Sequence, residues 1–184
     1  MPNRPYPSQY VMPWTLKDGT TVTIRPIREQ DEPLLVEFHR SLSDESVYLR
    51  YFHVESFDYR TMHQQLARLC SIDYDEEFVF VAEKRDSRND LFEIIGVARL
   101  VKLVGGDTAE FAVVISDAWQ NHGLGTEMVR RLLQLARNEG LRHVTADILA
   151  RNSNMRRVCQ QLGFRLIERF GDAVIRVEAD VPIK

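Results

Sequence analysis

The residues with the clearest chemical potential are Gln120-Asn121-His122-Gly123-Leu124-Gly125, which follow an alternating apolar stretch and precede a long helical period. A strand, a glycine-rich turn and a helix N-terminus in that order form a device for holding a diphosphate. Glycine lets the backbone approach the ligand, while the unpaired N–H groups and dipole of the first helical turn favour anions. Two of the three nucleotide-binding patterns that use the device fail on spacing. No Gly-Lys-Ser/Thr follows, and a G-x-G-x-x-G fingerprint needs glycine where Met128 stands. The preceding strand also reads as antiparallel, which the dinucleotide fold does not use.

The elements that must position this turn are legible from periodicity. Residues 1–14 carry prolines and no clear period, so they read as an arm or linker remnant, with 15–184 as a single domain. Asp18-Gly19 is a turn before an alternating strand at 20–27. Asp31 is placed to cap a helix containing Leu34, Leu35, Phe38 and Leu42, with Pro33 in its first turn. Ser43 opens a second helical segment through Val47, Leu49 and Phe52, and residues 59–71 read as a third. Strands follow at 77–83, 92–103 and 108–116, with turns at 87–90 and 105–107. The helix after Gly125 carries a stripe of Leu124, Met128, Leu132, Leu135 and Ala136 and ends at Gly140. A strand at 143–149, a helix capped by Asn152 and ended by Gly163, and two strands at 164–170 and 173–179 close the chain. The fold class is α/β of the α+β kind: a mixed, mostly antiparallel sheet of about seven strands flanked by helices.

Gln120-x-x-Gly123-x-Gly125 resembles the Q/R-x-x-G-x-G/A pyrophosphate loop of the GNAT superfamily of N-acetyltransferases. A second resemblance comes later in the chain. Asn152, Met155, Val158, Cys159, Leu162, Gly163 and Phe164 stand at the spacing of that family's N-x-x-A-x-x-[LV]-Y-x-x-L-G-F segment. A finer resemblance spans most of the chain: residues 16–19 and 25–28, Phe38 to Ser43, Tyr48 to Phe52, and Ala109 to Val113. These are similar to the catalytic domain of bacterial protein lysine acetyltransferases of the Pat type, a group in which that domain is often fused to an inactive acyl-CoA-synthetase-like region. The chain is accordingly read as a stand-alone member or an excised domain.

The resemblance implies acetyl-CoA as co-substrate. It implies a sheet that splays between the strands at 108–116 and 143–149, with the pantetheine arm bonding backbone at Val113, Val114 and Ile115. The diphosphate is expected on the amides of Asn121, His122, Gly123, Leu124, Gly125 and Thr126, with Gln120 contributing mainly backbone or edges. Asn152 is expected both to cap its helix and to contact the cofactor arm or a bound water. Glu110 is the candidate general base, because the Pat-type resemblance places the catalytic glutamate there and partial burial would raise its pKa. An amine with a solution pKa of about 10.4 must lose a proton before it attacks a thioester. Cys159 stands where many relatives carry a tyrosine that protonates the departing thiolate. It is the candidate acid, against the competing reading of a core residue at helical spacing. Tyr48, Arg50, Tyr51 and Phe52 fall where the early helices line the acceptor site.

Composition bounds the rest. A chain of 184 residues with 44% hydrophobic and 28% charged residues fits one stable globular domain. Net charge −3 with interspersed signs gives no broad basic footprint for nucleic acid. Cys70 and Cys159 make no disulfide framework, and five scattered histidines show no metal spacing, so no metal is expected. The N-terminus lacks the apolar run of a signal or membrane span, which reads as a cytoplasmic protein that does not engage membranes, monomeric or homodimeric. The resemblance implies acetyl transfer to a primary amine, a protein lysine, with acyl-CoA synthetases as candidate acceptors. Acetylation of a small amine or amino acid, and a non-catalytic acyl-CoA sensor, are the competing readings.

Overall fold

The computed structural model describes residues 4–87 and 89–182. In chain order its elements are β1 (Met12–Thr15), β2 (Thr21–Pro26), α1 (Glu32–Arg40), α2 (Asp44–Tyr51), α3 (Phe57–Arg60), α4 (His63–Cys70), β3 (Glu77–Arg85), β4 (Phe92–Lys102), β5 (Thr108–Ile115), α5 (Leu124–Asn138), β6 (His143–Leu149), α6 (Ser153–Gln161), β7 (Arg165–Ile167) and β8 (Val174–Asp180). They build one eight-stranded sheet in the order β1-β2-β3-β4-β5-β6-β8-β7. All neighbours are antiparallel except β5 and β6.

Strand alternation divides the sheet into two faces. Val97, Arg99, Ala112 and Val114 share one face with Leu35 and Phe38 of α1 and with α3 and α4. Gly96 and Ile115 lie on the other, against α5, whose Leu124, Met128, Leu132, Leu135 and Ala136 are all buried as their spacing predicts. Gly96 is what lets α5 settle this close. A Cβ there would sit 2.8 Å from Ile115 Cδ1 and 2.9 Å from Met128 Sδ.

Several sequence expectations change. Residues 12–14, expected in an arm, belong to β1, which pairs with β2 from Met12↔Ile24 to Thr15↔Thr21 and raises the strand count to eight. The segment before it is also packed: Tyr6 donates to the Pro26 carbonyl, and the Tyr10 ring meets Phe78 and Phe80 edge-on. Residues 1–3 of the expected arm and 183–184 at the end of the expected domain lie outside the described residues, as does Arg88 of the turn expected at 87–90. The helix expected at 59–71 is two helices, because Met62 takes an extended ψ of 132° between them. The first closing strand, expected at 164–170, is confined to Arg165–Ile167.

Asp31 does not cap α1 with its side chain. Its carboxylate is engaged by Arg25, at 2.7 Å to each oxygen, and by the Arg28 N–H at 2.8 Å. Arg25 also meets Glu83 at 2.6 Å, and the guanidinium is only 2% exposed. In the alternation of β2, Arg25 falls on the phase opposite Val22 and Ile24, yet it too is buried.

Candidate active site

The turn after β5 is shaped by its own backbone. Gln120 is extended, and Asn121 (φ 65°) and Gly123 (φ 87°) are left-handed, a conformation that costs any residue other than glycine roughly 1 kcal/mol or more. Gly123 is the N-cap of α5 and supplies no side-chain acceptor, so the N–H groups of the first helical turn have no capping partner. Gln120 fixes the turn from outside: its Nε2 donates to Ser46 Oγ at 2.9 Å and to the Ile115 carbonyl at 3.1 Å. Asp117 accepts from the Ser43 N–H at 3.0 Å and ties the same segment to the start of α2. The Gln120 side chain is thus a structural brace, more than the edge contact expected of it.

These uncapped amides face a cavity of about 310 Å³. Val113, Val114, Ile115, Gln120, Asn121, Gly123, Gly125, Thr126 and Asn152 line it. His122 and Leu124 do not. His122 turns its ring back to the Gln120 carbonyl and toward Trp119, and Leu124 is 1% exposed in the core. Two basic residues on the wall were missed by sequence reading, Lys17 from the β1–β2 turn and Arg157 from α6. Neither is in an ion pair among the described residues, and a lone lysine in a hairpin turn carries no sequence signal. Lys17 is placed by its N–H, which donates to the His122 carbonyl at 3.3 Å.

The two glycines are required for different reasons, which leads to a prediction. A Cβ on Gly125 would meet only Ile115 at 3.7 Å, an ordinary contact, and would otherwise point into the cavity; one on Gly123 would be strained and 3.4 Å from both Lys17 and Trp14. Gly125→Val is expected to leave thermal stability unchanged yet weaken acetyl-CoA binding by about 10- to 100-fold. Gly123→Ala is expected to lose about 1 kcal/mol of stability as well as affinity. Titration calorimetry and thermal melts on both variants separate the two effects.

β5 and β6 pair only at Thr108↔His143, Ala109↔Val144 and Glu110↔Thr145, and beyond that register they part. Glu110 therefore stands at the fork. It lines a second cavity, of about 230 Å³, with Arg50, Tyr51 and Phe52 of the α2 end and Asp147 and Ile148 of β6. Leu49, Arg50, Val113, Asn152 and Met155 line both cavities and form the wall between them. Glu110 is exposed, so the partial burial expected from its strand is absent: the separation of the strands leaves its side open. Asn152 caps α6, its Oδ1 accepting from the Met155 N–H at 3.0 Å, while also lining both cavities, so the two roles expected of it are compatible.

Of the four acceptor-site expectations, Arg50, Tyr51 and Phe52 line the cavity of Glu110. Tyr48 does not; its ring stacks under Arg151, 5.0 Å away. Phe52 ends α2 in a left-handed conformation (φ 67°), a strained position for an aromatic residue that is characteristic of sites under functional constraint. Cys159 lies away from both cavities. It is 0% exposed, and burial pushes its thiol up to about 12, far from the range of an acid matched to a leaving thiolate. Its position favours the core reading. Among the described residues there is no cluster of metal-ligating groups, and no helix is long and apolar enough to cross a membrane.

Comparison with known proteins agrees with this geometry. Residues 21–165 match the acetyltransferase (GNAT) domain family. The chain is 33% identical over 150 residues to acetyltransferase PA5475 of Pseudomonas aeruginosa, covering 82% of this chain and 78% of that protein. It is 27% identical over 172 residues to acetyltransferase Pat of Mycolicibacterium smegmatis, covering 93% of this chain but only 49% of the relative, so it spans about half that protein's length. The crystal structure of the GNAT domain of S. lividans PAT superposes with a TM-score of 0.82 at 28% identity, covering 96% of this chain and 99% of the other. The chain belongs to the GNAT acetyltransferase family.

Proposed function

We propose that this GNAT acetyltransferase passes an acetyl group from acetyl-CoA directly to a primary amine, a lysine side chain of a protein, with Glu110 as the general base. The observation that carries the reading is the fork between β5 and β6. An uncapped helix N-terminus opens on one side of it, a carboxylate stands at its apex, and one shared wall joins the two cavities.

In this reading the amides of residues 121–126 hold the diphosphate, with Lys17 and Arg157 adding positive charge. Backbone of residues 113–115, left unpaired where β6 diverges, aligns the pantetheine arm as an added strand. When bound, acetyl-CoA supplies an activated thioester. Residues of the shared wall bring that thioester and the acceptor nitrogen together, and orientation supplies much of the rate. Glu110 takes the ammonium proton that an amine of pKa about 10.4 carries at neutral pH, freeing the lone pair to attack the thioester carbon. The C–S bond then breaks, sulfur leaves with the electron pair, and the second proton on nitrogen passes to the departing thiolate or to solvent. No side chain is assigned as acid.

A lysine acceptor is supported by the similarity to acetyltransferase Pat and to the GNAT domain of S. lividans PAT, together with the Glu110 position. The described N-terminal residues pack onto the sheet, which supports treating them as part of one acetyltransferase domain. The test is thiol release from acetyl-CoA in the presence of acyl-CoA synthetase proteins or of free amines and amino acids. Acetylation of the proteins at lysine is the expected result. Turnover of small amines alone would move the assignment to that acceptor class, and tight acetyl-CoA binding with no acceptor turned over would favour a sensor.

A further inference from the structure

A third cavity, of about 310 Å³, lies under α1, α3 and α4 on the sheet face that carries Glu110, and the acetyl-transfer chemistry does not use it. Its charges are unbalanced. Four arginines, Arg50, Arg60, Arg68 and Arg99, line it against two carboxylates, Glu55 and Glu77. Glu77 is fully engaged by Arg99, at 2.6 and 2.8 Å. Glu55 is held by His53 at 2.5 Å.

Arg60 is 8% exposed, yet among the described residues it donates only to neutral acceptors: the His39 and Glu55 carbonyls, each at 3.2 Å, and the His39 ring. Arg50 makes no ion pair among the described residues and stacks over Tyr51 at 4.9 Å. Arg68 is exposed at the rim and likewise unpaired. His39 adds no positive charge near neutral pH, since burial and the neighbouring Arg60 and Arg50 bring it down to about 4. Holding buried cations without an anion is costly, and a carboxylate accepting bidentate guanidinium bonds removes that cost.

Arg50 connects this cavity to the reaction. It lines all three cavities, including those of the cofactor loop and of Glu110. Strand register sets the spacing. Arg99 opposes Ala112 and Val101 opposes Glu110, so Glu110 and the Arg99 position stand two residues apart along one face. At about 3.4 Å per residue that is about 7 Å.

We propose that the third cavity is an acceptor subsite for a carboxylate, carried about 7 to 10 Å from the amine that Glu110 deprotonates. This rests on the acetyl-transfer reading and narrows its acceptor. An α-amino acid acetylated at its α-nitrogen is too short to reach. Two sources of carboxylate fit: an acidic side chain flanking a lysine in a protein, or the α-carboxylate of free lysine reached from its ε-amine.

The experiment compares acceptors in matched pairs on the full chain: a peptide with glutamate two residues from its lysine against the glutamine peptide, and free lysine against lysinamide. Each pair is assayed on wild type and on Arg68→Gln, which alters a rim residue outside the buried core. The wild type is expected to show about a tenfold lower KM for the carboxylate member of one pair, and which pair shows it identifies the source. Arg68→Gln is expected to shrink that ratio to about twofold or less. Because the ratio is read within one protein, a general loss of activity cancels. Equal KM values within both pairs on wild type, or a ratio untouched by Arg68→Gln, would overturn the proposal. Binding of the same acceptors to the CoA-loaded protein, measured by calorimetry, separates the two claims. Preferential carboxylate binding without turnover keeps the subsite and removes amine acetylation, whereas turnover without preference does the reverse.

Discussion

Glu110→Gln is expected to lower kcat by about 10³-fold while the KM for acetyl-CoA changes by no more than about threefold. The glutamine keeps the size and the strand position but cannot accept the proton. The residue lies at the fork, outside the cavity to which the proposed reading assigns the diphosphate, so cofactor binding has no reason to suffer. An attack that depends on deprotonation also predicts a rate rising with pH in the wild type, and a variant whose residual rate follows only the free-amine fraction of the acceptor. Thiol release measured across pH on both proteins reads this directly. A loss smaller than about tenfold would assign proton removal to water and leave Glu110 a bystander at the cavity edge.

Asp31→Ala is expected to lower the free energy of unfolding by about 3 to 5 kcal/mol, a large share of the 5 to 15 typical of a domain. The substitution deletes the partner of a guanidinium that is 2% exposed and leaves Arg25 with Glu83 alone. It also frees the Arg28 N–H that positions the entry to α1. Urea unfolding followed by circular dichroism tests it, alongside the double variant Arg25→Met, Asp31→Ala. The double variant should be more stable than Asp31→Ala, because it buries no uncompensated charge, and Glu83, whose side chain is 15% exposed, retains contact with water. If Asp31→Ala alone cost less than about 1 kcal/mol, the pair would be a surface-like ion pair in its energetics despite its burial.

Much of the fold and of the turn before α5 was legible because it is local. Apolar spacing in 124–136 dictates an amphipathic helix, alternation in 108–115 dictates a strand, and Gly123 permits the left-handed backbone that ends the turn and begins the helix. All of these features are carried by contiguous residues, so the order of residue types is enough to place a left-handed turn at the start of α5. The same local rules misread residues whose partners are distant. β1 was hidden because a short proline-bearing segment has no period of its own and becomes a strand only when it pairs with β2. Asp31 had the sequence position of a helix cap, but a buried arginine six residues earlier offers its carboxylate two charge-assisted bonds.

What the sequence by itself determined was the class of fold, the family and the glycine-bearing turn that opens α5. Tertiary structure alone decided that Cys159 is enclosed in the core, that Lys17 from a distant hairpin turn reaches the cavity at the start of α5, and that Glu110 marks the point where two strands separate. It alone gathers Arg50, Arg60, Arg68 and Arg99, from three helices and a strand, around one cavity. The reason is that periodicity reports which side of an element is apolar, whereas the balance of charge in a cavity depends on which elements meet there and which partners their side chains have already taken.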